Sequence, residues 1–267
     1  MDLLERSMTD QPLILLGKGG GGTRLLSLMA QDCGVCIGAK LNLSGDCINM
    51  ALAIRGSMEQ KYGNPSEYDR NAAILKLRHS AEVMLEMLSP EERRLWGFKL
   101  PESLFILPEL MDAFPMARYA VLIRDPVKTC LRQTHVTSRV EHELGMISLN
   151  ASYQDAGVDR ENISQDHPML HNAYASRFQL GLLLDFLGSG GLPASRLFTC
   201  RFDQVIVNPN EALRSFSAWL GEPVTGTGLA TAINQERASR QLEADESVKE
   251  KVRDILRDVS SRLGYDT

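Results

Sequence analysis

Apolar residues in this chain fall into short unbroken runs separated by stretches of helical periodicity. The run from Pro12 to Leu16 is followed at once by glycines and reads as a buried strand. Leu25, Leu26, Leu28 and Met29 then follow a helical pattern, so the glycines join a strand to a helix. From Asp69 to Leu88, the residues Ile74, Leu77, Ala81, Met84, Leu85 and Leu88 share one helical face, which Ser89-Pro90 terminates. Short strands are predicted at Leu95 to Leu100, Tyr119 to Ile123 and Leu197 to Phe202. Helices are predicted at Glu102 to Phe114, from Pro126 to about Arg139, and at His171 to Leu187, Glu211 to Leu220 and Asp245 to Leu263. Strands that alternate with helices predict an α/β fold, an open and mostly parallel sheet flanked by helices on both faces. The segment from Glu141 to Leu170 is polar and weakly patterned, and is expected to be a lid or substrate loop.

Composition narrows the function. The chain has 267 residues, 43% hydrophobic and 24% charged, which suits one globular domain over residues 1–267 rather than a disordered chain. A net charge of -5 argues against a general nucleic-acid binder. No apolar run approaches the roughly 18–20 residues that span a bilayer, and the N-terminus lacks a signal-peptide pattern, so a cytoplasmic protein is expected. Five cysteines read as reduced thiols. Cys33 and Cys36 have C-x-x-C spacing but no neighbouring ligands to complete a metal site, and no metal is expected.

The segment Gly17-Lys18-Gly19-Gly20-Gly21-Gly22-Thr23-Arg24 is the most informative. Phosphate oxygens need several N–H donors converging on one point, and glycines let a backbone curl tightly enough to supply them. The following helix aims its free N–H groups and positive dipole end at the same place, and Thr23 can add a hydroxyl or cap the helix. The nucleotide-triphosphatase pattern G-x-x-x-x-G-K-[ST] fails, because Thr23 stands where its lysine belongs. Gly17, Gly19 and Gly22 fit the dinucleotide pattern G-x-G-x-x-G, but the residues before Asp46 make a poor second strand.

Two further strands end in a basic residue, Lys99 and Arg124. In an open parallel sheet the carboxyl ends of the strands face the ligand crevice, so both charges are expected at the mouth of the glycine turn. Beyond Arg124, the residues Lys128, Arg132, His135, Arg139 and His142 are spaced as one stripe of a helix whose first turn could reach a second phosphate.

Several segments, taken in order, resemble the bacterial-type sulfotransferase family, whose enzymes use 3′-phosphoadenosine 5′-phosphosulfate (PAPS). Leu15 to Leu26 resembles the family's G-x-G-R-S-G-T-S-L-L loop, and Ile37-Gly38 with Leu41 to Asp46 the segment that follows it. Trp96-Gly97-Phe98-Lys99-Leu100-Pro101 resembles W-G-W-K-N-P. Phe114 to Tyr119 leading into Ile123-Arg124-Asp125-Pro126 resembles the 3′-phosphate strand and loop. Arg201-Phe202-Asp203 through Pro223 resembles a late R-Y-E-D-L segment. The likeness covers about 200 residues and implies a P-loop-like nucleotide-binding fold.

The resemblance also implies site roles. PAPS would be bound by residues 18–24 (Lys18, Gly19, Gly20, Gly21, Gly22, Thr23 and Arg24) and by Arg124 with Arg132, leaving 3′-phosphoadenosine 5′-phosphate (PAP) as product. The acceptor would be a hydroxyl of a small molecule, glycan or lipid. Lys99 would stabilise the transferred group, and Asp46 would be the general base, with Glu102 and His135 as weaker choices. The family's basic loop residue falls on Gly20, and Lys18 or Arg24 would have to replace it. That departure keeps a second reading open, a nucleotide-binding protein with impaired catalysis; a P-loop kinase is a third.

Overall fold

The structure is a computed structural model that describes residues 11–131, 135–237 and 245–265. Five parallel strands form one open sheet in the order β2-β3-β1-β4-β5. They are β1 (Leu13–Leu16), β2 (Cys36–Ile37), β3 (Trp96–Lys99), β4 (Arg118–Ile123) and β5 (Leu197–Arg201). The central β1 alternates its side chains between two cores. Ile14 and Leu16 join Trp96, Phe98, Tyr119 and Val121 on one face. Leu13 and Leu15 join Ala120, Leu122 and Phe216 on the other. Both faces being covered explains why β1 reads as an unbroken apolar run.

The helices are α1 (Thr23–Asp32), α2 (Ile48–Gly63), α3 (Arg70–Glu86), α4 (Pro90–Arg94), α5 (Leu107–Ala113), α6 (Pro126–Cys130), α7 (Glu143–Asp155), α8 (Pro168–Gly188), α9 (Phe202–Val207), α10 (Pro209–Leu220), α11 (Gly228–Arg237) and α12 (Glu246–Arg262). α3 begins where Asp69 accepts from the N–H groups of Asn71 and Ala72, and α10 ends at Gly221 in the left-handed region. Among the described residues no helix is long and apolar enough to cross a membrane, and no group of His, Cys, Asp and Glu is placed to hold a metal.

The structure changes four expectations. Residues 141–170 are largely helical rather than irregular: α7 and a 3₁₀ turn at Arg160–Ser164 lead into α8. Leu149 and Tyr153 are buried, and so are Ser148 and Ser152 on the same helix, so small polar residues blur its apolar stripe. The helix opened by Pro126 closes at Cys130 instead of running to Arg139. His135 has extended backbone and caps a separate 3₁₀ turn, Val136–Ser138, so the basic stripe does not lie along one helix. Residues 101–106 form a 3₁₀ segment before α5, because Pro101 and Pro108 each open a new turn. Helix α2 forms in a stretch where the sequence pattern predicts no element.

Candidate active site

The register places β1 at the centre of the site. Leu15 lies beside Lys99 of β3 and Leu16 beside Val121 of β4, so the turn after Leu16 emerges between Lys99 and Arg124. Gly22 takes the left-handed conformation (φ 92°) as the cap of α1, and no side chain caps that helix. Thr23 is therefore the first helical residue and does not cap the helix, one of the two roles open to it from the sequence. A Cβ on Gly22 would come within 2.4 Å of the Phe202 ring, and one on Gly19 within 2.5 Å of the His135 ring. The exposed tip, Gly20, also has positive φ (82°). Part of the glycine requirement thus comes from close packing of the protein on the turn.

Lys18 points inward. It is almost fully buried, its Nζ donates to Gly19 O at 3.1 Å, and burial pushes its pKa down to about 8, opposed by Cys130 and Glu102. Lys18, Gly21, Leu122, Arg124, Pro126 and Thr129 line a small cleft. Arg124 lies over the Phe202 ring, 3.9 Å from guanidinium carbon to centroid. Arg24 is exposed, and close enough to Lys99 to disfavour its charge. Arg132, the other expected phosphate ligand, lies outside the described residues.

Lys99 and Asp46 are in contact. Lys99 Nζ donates to Asp46 Oδ1 and, at 2.8 Å, to Ser44 O. Asp46 is held in turn by Asn42, whose Nδ2 donates to Asp46 Oδ2 at 2.9 Å and whose Oδ1 accepts from Asp46 N–H at 2.9 Å. Lys99 O accepts from Cys47 N–H at 2.9 Å, so both ends of Lys99 anchor the 41–47 loop. Burial lowers the Lys99 pKa, with Asp46 pulling the other way. Glu102 is fully buried. Its Oε1 accepts from Arg55 at 3.0–3.1 Å, and its Oε2 has no hydrogen-bond partner among the described residues. Burial raises its pKa, and Arg55 lowers it.

The structure thus brings Lys18, residues 19–24, Arg124, Lys99 and Asp46 to one edge of the sheet. Asn42, Arg55 and Phe202 have no sequence signal beyond their place in or near the matching segments. Buried cations beside a helix N-terminus that no side chain caps fit an anionic, phosphate-bearing group.

The sulfotransferase family profile matches residues 12–226, and the chain belongs to the sulfotransferase family, whose enzymes are PAPS-dependent. Its fold is similar to that of the sulfotransferase domain of the Synechococcus PCC 7002 olefin synthase (TM-score 0.53, 15% identity, covering 96% of this chain and 95% of that one). It is also similar to a sulfotransferase from Alicyclobacillus acidocaldarius (0.51, 14%, 96% and 97%) and to the sulfotransferase domain of the curacin biosynthetic pathway (0.50, 16%, 96% and 98%). Among curated proteins no sequence matches significantly.

Proposed function

We propose that this enzyme moves a sulfuryl group from PAPS to a hydroxyl of a small molecule, glycan or lipid. The observation that carries the reading is the convergence of Lys99, Asp46 and the glycine turn at the carboxyl edge of β1 and β3. PAPS, when bound, supplies the sulfuryl group and leaves as PAP. The N–H groups of residues 20–23 and the α1 dipole hold the 5′-phosphate, and Arg124 holds the 3′-phosphate. Lys18 supplies the buried positive charge that Gly20 does not.

Lys99 neutralises charge that builds on the reacting oxygens, an electrostatic role of the kind that dominates such transfers. Asp46 accepts the acceptor's hydroxyl proton. In the resting protein Lys99 and Asp46 neutralise each other, so Lys99 must turn toward the transferring group before the Asp46 carboxylate is free to act as base. Asn42 keeps the carboxylate aimed during that exchange.

One observation favours the second reading, a nucleotide-binding protein with impaired transfer. The exposed tip of the turn carries no cation, and Lys18 is bonded back to Gly19 O. Calorimetry with PAP, paired with a screen of hydroxylated acceptors using ³⁵S-labelled PAPS, separates the readings. Binding with label transfer is expected; binding without transfer to any acceptor would favour the second, and no binding would defeat both.

A further inference from the structure

We propose that His135 is a fixed, neutral hydrogen-bond donor to a terminal oxygen of the 5′-phosphate, acting through Nε2–H, and not a base for the acceptor. The inference rests on the PAPS reading above. Its geometric basis is the packing of the His135 ring against the glycine turn, so close that a Cβ on Gly19 would meet ring atoms at 2.5–2.6 Å. The imidazole therefore lies against the backbone expected to hold the phosphate.

The neighbours of Nδ1 set the tautomer. His135 Nδ1 accepts from the backbone N–H of Thr137 at 3.4 Å, a donor whose hydrogen cannot rotate away. The Thr137 hydroxyl is 3.0 Å from the same nitrogen and accepts from Gln179 Nε2 at 3.2 Å. A proton on Nδ1 would collide with the Thr137 N–H. The ring proton therefore resides on Nε2, which cannot then accept a proton from a substrate.

The surrounding charge keeps the ring neutral. Lys18 on the turn, Lys99 on β3, Arg55 on α2 and Arg139 after the 3₁₀ turn all disfavour an imidazolium. Burial acts in the same direction and more strongly, holding the pKa well below 6.5. A neutral N–H donor binds an oxyanion without adding a titrating charge to a crowded cationic site. It also supplies a side-chain donor above a turn whose tip, Gly20, has none.

The test uses the full chain, with PAP as probe. Calorimetry should show His135→Phe, which keeps a ring against Gly19, binding PAP about tenfold or more weakly than wild type, the value of one hydrogen bond to a charged group. His135→Gln, which restores an N–H donor at the ε position, should recover most of that loss. ¹⁵N NMR of the ligand-free protein should show the His135 ring protonated at Nε2 and still neutral at a pH where an unburied imidazole is charged. Equal affinity in wild type and His135→Phe, equal loss in both variants, or a ring protonated at Nδ1 would each overturn the inference while leaving the PAPS reading intact. A wild type that binds no PAP would overturn both.

Discussion

The two sides of the β1 turn hold their cations differently. On the β3 side, two cations are already matched by carboxylates: Lys99 by Asp46, and Arg55 by Glu102. On the β4 side, Lys18 rests on a backbone carbonyl and Arg124 on an aromatic ring. A carboxylate partner must be displaced before its lysine can serve a substrate, whereas the carbonyl on which Lys18 rests carries no formal counter-charge. In the proposed mechanism the β4 side binds, and the β3 side exchanges partners during the reaction. Burial lowers the pKa of Lys18 and Lys99 alike, so they differ in pairing and not in solvation.

The comparison can be broken most severely at Lys99 and Asp46, the pair proposed to react. Asp46→Asn should lower turnover by about 10³-fold, within the range for loss of a general base, with PAP affinity unchanged in calorimetry. Unchanged turnover would remove Asp46 from the chemistry. Lys99→Met should cost about 10²-fold in kcat, since it deletes one electrostatic stabiliser and also leaves Asp46 without its cation. On the β4 side, Arg124→Ala should weaken PAP binding by about thirtyfold, corresponding to about 2 kcal/mol for a charge-assisted bond. Binding of adenosine 5′-phosphosulfate, which lacks the 3′-phosphate, should change little; an equal loss for both nucleotides would move Arg124 away from the 3′-phosphate.

The smallest effect sharpens the contrast. Lys18 titrates near pH 8 in the folded protein and near 10.5 when exposed, so above pH 8 the folded state loses a charge that an anion needs. Binding of PAP should draw a proton onto Lys18, and affinity should fall as pH rises through 8 to 9. Calorimetry in buffers of different ionisation enthalpy measures that uptake, and Lys18→Met should abolish it. The same shift carries a sign for stability. Between about pH 8 and 10.5 the unfolded chain holds this proton and the folded state does not, so Lys18's contribution to stability rises with pH across that window.

Much of the architecture was legible because β1, β3 and β4 are buried and largely apolar, and β5 is a short, half-buried run. Their ends carry glycine, lysine or arginine, which mark where the chain leaves the core. Helix α7 was hidden because Ser148 and Ser152 occupy its buried face, and buried serines carry no apolar signal. The length of α6 was misread because spacing alone cannot show that His135 adopts extended backbone and caps a turn. Asp46 and Lys99 were each legible as candidates; that the two form a pair was not, because 53 residues separate them and only the register of β3 beside the 41–47 loop brings them together.

The sequence alone determined the alternation of strands and helices, the glycine turn between a strand and a helix, and the placing of Lys99 and Arg124 at strand ends. These depend on periodicity, on glycine's conformational range and on strand polarity, all local properties of the chain. Tertiary structure decided that Lys99 pairs with Asp46 and Arg55 with Glu102, and that Gly19 and Gly22 make room for His135 and Phe202. Those outcomes depend on contacts between distant segments, and burial makes them matter: out of water, a charge or a ring nitrogen takes its state from the few groups packed against it.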